Sequence, residues 1–372
     1  MSDLAAPLGL AASVGRRRPF PFALAGLGLL AFAGGVGALW VAFVDDPLGG
    51  EPVARLPLDV ASITRGDIAV IGPEPATPTG AEPEFLPLPA DRTLPVLGAG
   101  APASTGLPTS ADRPDLVADG PYGPLPRIAA DGTRPLEAYA APVPSYVGVG
   151  PKIVLIVGGL GLSASGTAEA LRVLPERVTL AFAPYGSGLA DWEREARAQG
   201  HELLLQLPEE PFDFPDNDPG PHTMLTSLAP SENVDRLEWL MARFGSYVGV
   251  VNYMGARFSS DTEAFAPVMQ EIAHRGLLYV DDGSSPRSLA ASVADTTGTP
   301  FVQSQLVVDA TASASAIDAG LARLEEIARS RGLAVGTASA LPLTISRIAE
   351  WSRRLEDRGI TLVPASAALG RR

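Results

Sequence analysis

The chain has 372 residues, a formal net charge of −14 and 46 % hydrophobic residues. An acidic balance offers no attraction to a polyphosphate, which argues against nucleic acid as a partner. No cysteine is present, so disulfides and thiolate chemistry are excluded, and three histidines leave little for imidazole-rich metal sites.

Residues 1–20 are read as a cytoplasmic tail carrying Arg16-Arg17-Arg18. Residues 21–44 form an uncharged Leu/Ala/Phe-rich run, long enough at about 1.5 Å per residue to cross a hydrocarbon core of about 30 Å. Arginines before it and Asp45-Asp46 after it put the N-terminus in the cytoplasm. The expectation is a single-pass anchor in a bacterial inner membrane, with the main domain in the periplasm. A cleaved signal peptide needs a shorter apolar core and a small-x-small site, which residues 39–44 do not offer. A twin-arginine signal is only loosely echoed by residues 17–20, before a run too hydrophobic for one.

Residues 45–150 hold 19 of the 36 prolines, scattered among Gly, Ala, Ser and Thr without apolar periodicity. Such a segment buries too little surface to offset its conformational entropy, so a mostly disordered linker is expected. Leu125 to Pro135 is less bland, and reads either as a short ordered piece with a turn at Asp131-Gly132 or as more linker.

From residue 151 to 372 the texture changes. Lys152–Val157 is a branched apolar run closed by Gly158-Gly159, as a buried parallel strand entering a βα turn would be. Further apolar runs follow at 178–182, 202–207, 248–252, 277–281, 301–308, 333–337 and 361–364, with amphipathic stretches between most of them. Gly200, Gly276, Gly332 and Gly359 each stand between a helix-like stretch and the next run, where C-caps belong. The alternation predicts an α/β fold: a distorted (β/α) barrel of about seven parallel strands, with an open doubly wound sheet as the alternative. Residues 159–164 satisfy a loose G-x-G-x-x-A spacing, but no acid ends the next run to hold a ribose, so dinucleotide binding is weakly supported.

In a barrel, the residues after each strand share one mouth. They are Gly158-Gly159, Tyr185, Gln206, Glu209-Glu210, Asn252-Tyr253, Asp281-Asp282, Asp309 and Ser339. Grouped carboxylates can act as acid, base or hard-metal ligands, which makes Asp281, Asp309 and Glu210 the catalytic candidates. Each can equally cap a helix or tie down a loop.

Several pieces in this order resemble the divergent polysaccharide deacetylase family, of NodB-like barrel fold: Ala181 to Tyr185, Gly200 to Leu205, Leu207 to Pro211, Val250 to Arg257, Tyr279 to Asp281 and Gly359 to Ser366. The resemblance runs from about Lys152 to Leu369 and implies a divalent metal that activates water against an N-acetyl group. It also implies ligands that are missing. Gly158-Gly159 stand where the family has two aspartates, and Gln206, Tyr253 and Ser339 stand where it has histidines. Ala256 replaces a serine and Ser304-Gln305 an Arg-Asp pair, while Asp309 remains. His201 falls at the far end of a strand, His222 in a Pro-rich loop within reach of the mouth, and His274 near a helix C-terminus.

The expectation is therefore a pseudoenzyme with no metal cofactor. Its groove of Tyr185, Gln206, Asn252, Tyr253, Arg257 and Ser339 would bind an envelope glycan or a periplasmic protein. Tyr185, Trp192, Phe212, Phe214 and Tyr253 are candidate stacking surfaces. The alternative is an active hydrolase rebuilt on Asp281, Asp309 and Glu210.

Overall fold

The computed structural model describes residues 106–143 and 150–369. The expected tail and anchor, residues 1–44, and most of the expected linker lie outside the described residues. Among the described residues no helix is long and apolar enough to cross a membrane.

Residues 106–143, which proline content assigns to the linker, are folded. They form an antiparallel hairpin, β1 (Val117–Gly120) and β2 (Gly123–Pro126), and a single helical turn, α1 (Pro135–Ala138). Leu116, Leu125, Ala129, Leu136 and Tyr139 are buried. Burying a large apolar side chain contributes about 1.5–3 kcal/mol, so these few residues offset the ordering that composition argues against. The buried Arg197 guanidinium donates to the carbonyls of Pro108 (3.0 Å) and Tyr139 (2.8 Å). Glu202 accepts from the Ala141 N–H at 3.0 Å. The segment is thus a strap fastened by one buried cation and one buried acid.

The remainder alternates strand and helix. The strands are β3 (Lys152–Leu160), β4 (Thr179–Phe182), β5 (Leu203–Glu209), β6 (Gly249–Met254), β7 (Leu278–Asp281), β8 (Phe301–Gln303), β9 (Leu306–Val307), β10 (Leu333–Ser339) and β11 (Thr361–Leu362). The helices are α2 (Ala164–Val173), α3 (Leu189–Ala198), α4 (Pro230–Met241), α5 (Thr262–His274), α6 (Ala290–Thr297), α7 (Ala314–Arg331) and α8 (Pro342–Ser352). Gly276, Gly332 and Gly359 end helical segments at φ of 72°, 82° and 69°, as their sequence positions imply.

All nine strands are parallel, in the order β8-β7-β6-β5-β4-β3-β10-β9, with β11 beside the start of β3. The count exceeds the expected seven partly because the 301–308 run divides. β8 pairs with β7 at one edge, and β9 pairs with β10 at the other. Only Ser304 and Gln305 separate them, so the sheet curls and its two edge strands come near each other without pairing. Ser304 N–H donates to the Asp281 carbonyl (2.8 Å), and Gln305 exchanges backbone and side-chain bonds with Val335 (2.9 and 2.7 Å).

Period-2 alternation builds two cores. Ile153, Leu155 and Val157 face the helices, with Leu203, Leu205 and Leu207. Val154, Ile156 and Leu204 face inward, where Leu116, Ala129, Leu136 and Tyr139 of the strap join them. The same parity turns Gly158 and Gln206 inward, toward the mouth.

Candidate functional site

The first strand does not stop at Val157. It runs through Gly158-Gly159 to Leu160, with its register against β4 shifting between Val157 and Leu160. Gly159 adopts φ 84°, the left-handed region that favours glycine. Its N–H donates to Gln206 Oε1 at 2.6 Å. A Cβ added at Gly158 would lie 2.6 Å from Gln206 Nε2. The amide of Gln206 therefore fills the space that a side chain at 158 would need.

The three candidate carboxylates are each engaged in their own surroundings. Asp281 is 3 % exposed; it accepts from Gly283 N–H (2.9 Å) and from the Ser288 hydroxyl (2.6 Å), closing the loop before α6. Asp309 accepts from Ser339 N–H and the Thr344 hydroxyl, both at 2.9 Å, tying β10 to the first turn of α8. Its second oxygen is buried without a hydrogen-bond partner. Glu210 accepts from Thr226 N–H (2.6 Å) and hydroxyl (2.8 Å) and pairs with Arg257 at 3.3 Å. Among the described residues no group of three or more His, Asp or Glu is placed to hold a metal ion. Gly158, Gly159 and the Gln206 amide at the ends of β3 and β5 offer no anionic or imidazole donor to the metal that the family resemblance implies. They do not fit such an ion.

Glu209, beside Glu210, faces the helices. It is fully buried, accepts from the Tyr279 hydroxyl at 2.9 Å, and lies against the Gly255 turn (φ 85°). Burial pushes its carboxyl well above the ordinary range. Asp282 is also raised by burial; its N–H donates to Asn252 Oδ1 at 2.7 Å, which fixes the Asn252 amide.

The groove candidates divide. Tyr253, 44 % exposed, and Ser339 present side chains to solvent. Arg257 is half-exposed but held by Glu210. Tyr185 is partly covered: its hydroxyl accepts from His222 N–H at 3.2 Å and its ring packs against Gly220 and Trp239. Trp192 packs into the outer core instead of the mouth. Phe212 is 49 % exposed, beneath the Arg287 guanidinium at 5.1 Å. His222 stacks on Trp239 of α4 with ring centroids 3.6 Å apart, and its Nδ1 is buried without a hydrogen-bond partner. His201 is buried with Nδ1 3.0 Å from the Val178 carbonyl, and His274 is the last residue of α5.

Sequence reasoning singled out Gly158-Gly159 and Gln206 but not the bond between them, nor Ser288 and Thr344 as carboxylate partners. The Gln206 and Thr344 contacts join segments 47 and 35 residues apart, whereas Ser288 bonds Asp281 from within the same loop, seven residues on.

The fold is a curled, half-barrel parallel α/β sheet that fits the NodB-like type. Residues 155–369 match the divergent polysaccharide deacetylase family, and the chain belongs to it. It is 44 % identical to an uncharacterized protein of Agrobacterium tumefaciens C58 of known crystal structure, with a TM-score of 0.64, covering 66 % of this chain and 99 % of that one. It is 23 % identical over 219 residues to the uncharacterized protein YibQ of Escherichia coli, covering 59 % of this chain and 67 % of the relative. A further uncharacterized protein, from Haemophilus influenzae, is 19 % identical over 207 residues, covering 55 % of this chain and 72 % of that one.

Proposed function

We propose that this chain is a non-catalytic, membrane-tethered member of its family, working without a metal cofactor, whose barrel mouth binds an envelope glycan in the periplasm. The observation that carries the loss of chemistry is the Gln206 amide seated over Gly158 and bonded to Gly159. Water activation needs a cation there, and an amide with two glycines supplies no charge to hold one. The exposed rings of Tyr253 and Phe212 support the binding role, since sugar rings stack on such faces. The uncharged 21–44 run supports the tether.

One observation favours a second reading, a hydrolase rebuilt on Asp309, Asp281 and Glu210: Asp309 keeps one buried oxygen without a partner. The purified full chain distinguishes the two. Metal-free protein that binds peptidoglycan fragments, and loses binding in Tyr253→Ala, supports the first. Stoichiometric divalent metal with turnover of an N-acetylated sugar refutes it. Retention of an envelope protein instead of glycan would move the partner, not the site.

A further inference from the structure

A cavity of about 390 Å³ lies on the flank of the barrel, beneath the strap hairpin and between α3 and the end of α4. None of its lining residues belongs to a mouth loop. Its size is at the lower end of the range of about 300–1,000 Å³ for small-molecule sites, and such sites combine apolar walls with few polar groups. Leu116, Leu125, Phe244 and Tyr247 form much of the wall.

The charges at this cavity are unequal. Glu193 is the acid among the lining residues, and it is 5 % exposed. One of its oxygens accepts from the Ser110 and Ser246 hydroxyls, and the other from Gly245 N–H. That carboxylate is satisfied within the wall. Arg243, also lining the cavity, is exposed; its guanidinium lies 4.6 Å from the Trp239 ring centroid, and no carboxylate among the described residues pairs with it. An apolar chamber with a rim cation that no carboxylate among the described residues neutralises is complementary to a ligand with an apolar body and an anionic head.

We propose that this flank cavity is a binding site for a single-chain carboxylic amphiphile, with the chain among Leu116, Leu125 and Phe244 and the carboxylate at Arg243. The strap forms one wall and the barrel the other, so an occupant bridges two parts of the chain. Binding such a ligand to the folded state alone stabilises it in proportion to the logarithm of ligand concentration. The site is independent of the mouth and stands whether or not the mouth binds glycan.

Decanoate serves as the probe, titrated calorimetrically into the full chain, with decanol as the uncharged control. Saturable decanoate binding is expected. Arg243→Gln should weaken it roughly two- to fivefold, the size of a solvent-screened ion pair, and leave decanol unchanged. Added salt should reproduce that loss in the wild type. Val117→Trp and Ala190→Phe, filling the chamber from opposite walls, should each abolish both titrations while thermal unfolding shows an intact fold. Failure of decanoate to saturate, survival of binding in both filled variants, or its loss in Tyr253→Ala would overturn the proposal.

Discussion

The Gly159 N–H donates to Gln206 Oε1 at 2.6 Å, and the same amide lies so close to Gly158 that it would have to shift to admit a Cβ there. The two glycines and the glutamine are one packing unit. A side chain at 158 and the present Gln206 rotamer compete for one volume.

That competition predicts a coupled pair. Gly158→Ala alone should destabilise the fold by about 1–3 kcal/mol through overpacking. Gln206→Ala alone should cost about 1 kcal/mol, by leaving the Gly159 N–H without its acceptor. Combined, the loss should be smaller than the sum by more than about 0.5 kcal/mol. Urea unfolding of the four proteins measures it, and strict additivity would show that Gln206 does not occupy the space.

Glu209 predicts an unusual pH dependence. Its ordinary value is 4.5, and burial raises it well above that in the folded chain. Below 4.5 both states are protonated. As pH climbs above it, the unfolded chain ionises while the folded carboxyl keeps its proton, so stability falls with rising pH by up to about 1.4 kcal/mol per unit. Glu209→Gln removes this penalty. Its stability relative to wild type should be near zero below pH 4.5 and grow in favour of the variant toward neutrality. Glu202 and Asp282, also raised by burial, are present in both proteins and cancel in the difference. A difference that is flat with pH would show that the Glu209 carboxyl ionises normally.

Much of this fold is legible in sequence because two periodicities are physically separate. Lys152–Val157 and Glu202–Leu207 are short apolar runs that fit buried strands, and Gly276, Gly332 and Gly359 mark the helix ends at positive φ. The division of residues 301–308 is not legible. Phe301 to Val308 reads as one apolar run, and only the curl of the sheet makes Ser304-Gln305 change neighbours. The strap is only partly legible: Leu125 to Pro135 stands out with its Asp131-Gly132 turn, but the buried residues Leu116, Leu125, Ala129, Leu136 and Tyr139 follow no period, and proline dominates the composition around them. At the mouth, Gly158-Gly159 is visible in the sequence, whereas the packing of Gln206 over it depends on β3 and β5 turning both residues inward.

Asp281 and Asp309 are predicted to act on stability. Ser288→Ala and Thr344→Val each remove one hydroxyl donor from a buried carboxylate. Each should cost about 1–3 kcal/mol, the range for a hydrogen bond to a charged group or for leaving a buried acceptor short. Thermal unfolding and glycan binding together decide the matter. Lower melting temperature with unchanged glycan affinity is expected; unchanged stability with altered affinity would place these carboxylates in the binding surface.

Arg197 tests whether the strap is integral to the domain. Its side chain is fully buried, donates to the carbonyls of Pro108, Tyr139 and His201, and burial pulls its pKa down to about 10. These acceptors belong to the strap and to the start of the β5 segment, so the guanidinium joins two stretches that the sequence sets about 60 to 90 residues apart. Arg197→Met keeps most of the apolar stem and removes every donor. Three carbonyls lose a charged partner, which at about 1.5–3 kcal/mol per bond to a charged group predicts a loss of at least about 3 kcal/mol. Because the barrel retains its own cores, the loss should appear first as local opening. Limited proteolysis is expected to cut within residues 106–143 while the 150–369 body survives. Glu202→Gln, weakening the second fastening at Ala141, should produce the same cut more slowly. Equal protection of the strap in Arg197→Met and wild type would show that the hairpin's apolar contacts hold it without the cation.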